Sequence, residues 1–150
     1  MPDLTVPSAI PSGSTQTCRG IPDQSVQALL GSYNDDLTYD SVHLQNYTTC
    51  TIINSDENTL RIVYGHADND KIPSGKIATE KNGAKPFVLQ SAPQGRGLTN
   101  STDSANAELV YQCGQGQFIS ITIRGYVLGT PVESNLMNMA NSMSSLAWTT

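Results

Sequence analysis

Charge is scarce in this chain: only 14% of its 150 residues are Asp, Glu, Lys or Arg, against about a quarter in an ordinary soluble domain. Long apolar runs are missing too. The longest are three or four residues, far below the ~20 that a membrane-spanning helix needs, so no transmembrane helix is expected. Basic residues number 8 against 13 acidic, and the net charge of −5 argues against general nucleic-acid binding, which needs a basic footprint to displace counterions. The first residues, Met1 to Pro7, offer neither a basic start nor an apolar stretch, so no signal peptide is visible; a mature secreted form beginning after a cleavage site fits the same residues. Cysteine is limited to Cys18, Cys50 and Cys113 without any C-x-x-C spacing, which excludes the usual zinc and thioredoxin-like patterns. Two readings remain for them. They are packed thiols, or one disulfide with a thiol left over, and Cys50 with Cys113 is the pair to test because both lie in strand-like runs.

Catalytic groups are equally thin. His43 and His66 are the only histidines, no G-x-S-x-G is present, and the adjacent Asp35 and Asp36 have no evident reason for a raised pKa. The glycine-rich stretches Gln94 to Gly97 and Gly114 to Gly116 do not open a helix after a strand, as phosphate-cradling loops do. The run His66-Ala67-Asp68-Asn69-Asp70 lacks the glycine and distal glutamate of a calcium loop and reads as a polar turn. The expectation is a protein without enzymatic activity, cofactor or metal.

What fills the space is polarity without charge. Ser, Thr, Asn and Gln supply 51 residues, the composition of a polar β-rich protein. Residues 1–20 are rich in Pro, Ser, Thr and Gly and read as an extended arm. Pro22 to Gly31 carries a proline at its start, Asp23 in the first turn and a glycine after the last apolar position, which predicts a short helix near residues 23–30. Val42, Leu44, Tyr47 and Cys50 through Ile53 then suggest one strand, Asn54 to Asn58 a turn, and Thr59 to Tyr64 the antiparallel return. Short strand candidates follow at Lys76 to Glu80, Pro86 to Gln90, Ala107 to Cys113 and Gln117 to Val127. In the last of these Ile119, Ile121 and Ile123 form a core face, while Ser120, Thr122 and Arg124 face outward or towards a partner. Beyond Pro131, Leu136, Met139, Met143 and Leu146 draw one apolar stripe of a helix whose other face is Asn and Ser. Two settings suit that stripe: docking on its own domain, or packing as a helix or tail into a neighbour, with Trp148 as an anchor.

These signals predict a mainly β fold: an antiparallel sandwich or jelly-roll-like domain of six to eight strands over residues 21–130, an arm at 1–20 and an amphipathic helix or tail at 131–150. The strand–turn pattern of residues 50–125, with Ile72-Pro73-Ser74-Gly75-Lys76 and Phe118-Ile119-Ser120-Ile121, resembles that of the actinoporin and aegerolysin β-sandwich cytolysins. The resemblance is compatible with a sandwich and is no evidence for pore formation, because the aromatic cluster those families use at the membrane has no counterpart here.

Charge is also unevenly placed. Residues 1–60 hold one basic residue against seven acidic ones, whereas residues 61–96 hold six basic against three acidic. All four lysines, Lys71, Lys76, Lys81 and Lys85, fall in the second stretch, either as a solvated edge or as a surface that meets an acidic one. The leading expectation is therefore a structural protein that assembles with itself, as in a capsid, coat or filament, through arm, tail and complementary charges. Deleting residues 1–18 or 133–150 is expected to abolish that assembly. The other reading is a secreted lectin-like or lipid-headgroup-binding module, with Tyr64, His66, Asp68, Asn69, Tyr111 and Gln112 as a glycan site. Both favour an extracellular or virion-like surface over the cytoplasm.

Overall fold

The computed structural model describes residues 5–32, 34–67, 75–102, 104–114 and 116–147, the side chains of 34 and 144–147 excepted. Seven antiparallel strands form one sheet: β1 (Leu37–His43), β2 (Tyr47–Asn54), β3 (Thr59–His66), β4 (Lys85–Leu89), β5 (Ala92–Ser101), β6 (Asn106–Gln112) and β7 (Gln117–Arg124), in the order β1-β2-β3-β7-β6-β5-β4. Two meanders, β1–β3 and β4–β7, thus meet at the β3–β7 pair in the middle, where Ile62 lies opposite Ile121. The domain is mainly β, as expected. Its second layer is helical where a sandwich would place another sheet: α1 (Asp23–Leu30) lies on β3, and α2 (Val132–Ala147) crosses β4 to β7.

Period-two alternation accounts for the core. Cys50 and Ile52, Leu60 and Ile62, Leu109, and Ile119, Ile121 and Ile123 all point to the helical side and are buried there against Val26, Leu29, Leu30, Leu136, Met139 and Met143. Helix α1 ends as its sequence predicts, with Gly31 in the left-handed region (φ 66°) and its N–H bonded to Gln27 O at 2.7 Å. The single strand expected from Val42 to Ile53 is two, because the chain turns at Gln45–Asn46, closed by Leu44 N–H donating to Tyr47 O at 2.8 Å. The strand expected at Lys76 to Glu80 is absent; these residues bend into a 3₁₀ turn, Glu80–Asn82, capped by the Thr79 hydroxyl. Ala92–Ser101 forms a ten-residue strand despite Pro93, Gly95 and Gly97. The Tyr111 ring requires those glycines: a Cβ at either one would stand 2.6 Å from a Tyr111 ring carbon.

Arm and tail are bound to their own domain. Val6 N–H donates to Asn135 Oδ1 at 3.1 Å, Asn138 Nδ2 donates to Val6 O at 3.0 Å, and Asn141 Nδ2 donates to Ser8 O at 3.2 Å. The asparagines of α2, poor helix formers, thereby satisfy the backbone of an extended arm. Cys18 is bonded to Cys50, and Cys113 is a free, buried thiol, so the expected Cys50–Cys113 pair does not form. Strands β3 and β7 separate β2 from β6, which places the two sulfurs too far apart to bridge.

Candidate functional site

The sheet face away from the helices is only half covered, and one carboxylate arranges the cover. Glu108 sits on β6 where alternation turns it away from the core, yet it is only 6% exposed. Its Oε1 accepts the N–H groups of Lys76, Ile77 and Ala78 at 2.7, 3.1 and 3.0 Å. Asn100, opposite Glu108 on β5, donates its Nδ2 to Ile77 O and Asn82 O. The strap 75–84 is therefore fastened across β5 and β6, with Ala78, Val110 and Phe118 buried on that side. Gly75 permits the approach, since a Cβ there would lie 2.4 Å from Glu108 Oε1.

Beyond the strap the face stays open as a groove of about 1060 Å³ over β2, β3 and β7. Cross-strand register sets out its surface in rows: Thr51, Arg61, Thr122 and Glu108 in one, Thr49, Val63 and Ser120 in the next, and Thr59 with Arg124 on the other side. Arg61 and Arg124 are diagonal neighbours, about 7–8 Å apart at their Cα atoms by sheet geometry. Both are exposed, and neither forms an ion pair among the described residues, where Lys85 with Glu133 at 3.0 Å is the only one. Asp40, in the Arg61 row, stands two strands away, roughly 10 Å at the usual strand spacing of ~4.8 Å. Lys76 adds a third cation on the strap side. Opposite it, Val42, Leu44 and Tyr47 make an apolar wall at 44, 44 and 36% exposure. In charge and polarity this surface is complementary to carboxylates beside an apolar flank; among the described residues no three His, Cys, Asp or Glu gather as a metal site.

The residues expected from sequence scatter. Lys76 borders the groove, Lys81 lies in the 3₁₀ turn, and Lys85 starts the β4 edge strand and is bonded to Glu133 of α2, so these three do not act as one patch. Lys71, Asp68, Asn69 and Trp148 lie outside the described residues. Leu136, Met139 and Met143, proposed as partner-binding, are instead fully buried against their own sheet; the stripe docks at home because the isoleucine face needs that cover. The glycan constellation also comes apart. Tyr64 and Tyr111 are core residues, their hydroxyls donating to Arg19 O and Ala92 O, while His66 borders the groove on the other side. Gly65 stands between Tyr64 and His66 at φ 142°, and a Cβ there would stand 2.4 Å from Asn46 O. Burial raises the pKa of Tyr39, Tyr64 and Tyr111, with the Asp23 charge adding to the effect at Tyr39. All three lie on the covered side.

Sequence reasoning missed Glu108 and Arg61 as site residues, and it took Val42, Leu44 and Tyr47 for part of a single strand. Their signal was parity: Arg61, Thr122 and Glu108 share one face by alternation once the register is known. Comparison of the chain with protein-family models, with curated proteins and with solved structures gives no match, and the cytolysin resemblance of residues 50–125 finds no counterpart there.

Proposed function

We propose that the protein is a non-enzymatic structural subunit that assembles with copies of itself, of the capsid, coat or filament kind, and that the open sheet face receives an acidic segment of the neighbouring copy. The observation that carries this reading is the pair of exposed arginines, Arg61 and Arg124, without an ion pair among the described residues, beside the apolar wall of Val42, Leu44 and Tyr47. The chain itself supplies a complement. Asp35 and Asp36 precede β1, Asp56 and Glu57 form the β2–β3 turn, and Ser55 Oγ donating to Asp36 Oδ2 at 3.0 Å joins the two into one exposed acidic end. Joining an acidic end to a basic groove on the next copy is a heterologous contact, which grows into rings or filaments. The described parts of arm and tail contribute by completing the subunit, since Val6, Leu136, Met139 and Met143 are buried in its own core. The Cys18–Cys50 disulfide suits an oxidising location, in keeping with an extracellular or virion-like surface. The lectin-like reading loses its aromatic platform, since Tyr64 and Tyr111 are buried in the core.

Charge reversal tests the contact. Arg61→Glu with Arg124→Glu, and separately Asp56→Lys with Glu57→Lys, should each lose the assembly of the wild type, and mixing the two variants should restore it as alternating copies. Assembly unaffected by both variants would exclude the groove as the contact.

A further inference from the structure

The two edges of the sheet are built differently. β4 is guarded: Lys85 and Pro86 open it, its register with β5 is irregular between Phe87 and Leu89, and Lys85 reaches Glu133 on α2. These are the devices that keep an edge from recruiting another strand. β1 has none of them. Leu37–His43 contains no Pro, Gly or Lys, pairs with β2 without interruption from Leu37↔Asn54 to His43↔Thr48, and is exposed from Asp40 to His43.

Hairpin geometry fixes which backbone groups face outward. Leu44 and Tyr47 are a hydrogen-bonded pair, so the even-numbered residues of β1 bond to β2, and in the exposed part of the strand the amides and carbonyls of Ser41 and His43 are directed to the outer edge. Ser41 lies in the exposed stretch of the strand, Asp40 to His43.

We infer that β1 pairs antiparallel with β1 of a second copy about a two-fold axis through Ser41, joining two seven-stranded sheets into one. A two-fold axis normal to the sheet keeps both grooves on the same side and sets each residue opposite one of equal parity. Centred on Ser41, the register places Asp40 opposite Val42 of the other copy. Centred on Asp40 it would set two carboxylates face to face, which like-charge repulsion disfavours. The inference rests on the self-assembly reading for the identity of the partner, but the contact is different: main-chain hydrogen bonds hold it, and salt does not dissolve it.

Two variants and one condition test it. In half-molar salt, where the groove contact is released, the protein should have twice the 16.0 kDa mass of the chain. Ser41→Pro removes an outward-facing amide without touching the β1–β2 bonds, and should halve that mass. Ser41→Cys, made with Cys113→Ser, should give a covalent dimer on mild oxidation, because a hydrogen-bonded antiparallel pair sets its Cα atoms about 5.5 Å apart, within disulfide reach. The cross-link holds the question open should Ser41→Pro fail to fold. A 16.0 kDa wild-type species in half-molar salt, or no cross-link from Ser41→Cys, overturns the inference. In either case large species at low salt would leave the groove contact standing alone.

Discussion

Glu108 shapes the site more than any other single residue, because its one oxygen holds three consecutive amides of the strap. Glu108→Ala leaves those N–H groups without their acceptor. A cost of about 2–3 kcal/mol is expected, read as a lower denaturant midpoint, with early hydrogen exchange at Lys76 to Ala78; Glu108→Gln, which keeps an acceptor, should lose less. Unchanged exchange in the alanine variant would show that the strap holds itself. The buried tyrosines make a second residue-scale prediction. Burial raises the pKa of Tyr39, Tyr64 and Tyr111 above 10.0, so the folded state prefers the neutral phenols. Their contribution is complete below pH 10 and is lost as pH rises through the raised values. Thermal midpoints should therefore hold steady through neutral pH and fall above pH 10, with ionisation of these tyrosines accompanying unfolding. At this scale the sequence was legible where alternation was strict, as in Ile119, Ile121 and Ile123. It was opaque at Glu108, whose role depends on a strap some thirty residues away in the chain.

Among the elements, α2 and the arm depend on each other. The α2 asparagines are weak helix formers that gain their place by bonding Val6 and Ser8, and the Cys18–Cys50 disulfide ties the other end of the arm to β2. Reducing that bond frees a loop with a sequence separation of 32 residues, which should cost about 3–4 kcal/mol by the chain-entropy relation. Calorimetry with and without reductant measures it, and an unchanged midpoint would show that the arm is held by packing alone. Both helices were readable from their punctuation: Pro22 and Gly31 bracket α1, and Pro131 precedes α2. β5 was not, because Pro93, Gly95 and Gly97 signal turns until the Tyr111 ring lying over them is known. The β1–β2 turn was hidden for the opposite reason. Gln45 and Asn46 carry no glycine or proline, and a single long strand reads the same.

The whole molecule is an acidic protein in which three exposed cations, Arg61, Lys76 and Arg124, border one open groove. Composition gave the β class and the order of charges along the chain the asymmetry; of the basic stretch, Arg61 and Lys76 reach the groove, where Arg124 joins them. It does not follow from composition that helices, and not a second sheet, cover the isoleucine face; that choice rests on the Leu136–Met139–Met143 stripe finding its place at home. Among the described residues nothing covers the apolar wall of Val42, Leu44 and Tyr47 in that way, and it is the surface a neighbour would bury. The most direct test is light scattering on size-exclusion fractions, comparing wild type with the Arg61→Glu, Arg124→Glu variant at low and half-molar salt. Assembly through the groove predicts large wild-type species at low salt that dissociate in half-molar salt, and no such species from the variant. Large species of equal mass from both proteins, or none from the wild type at low salt, would contradict it.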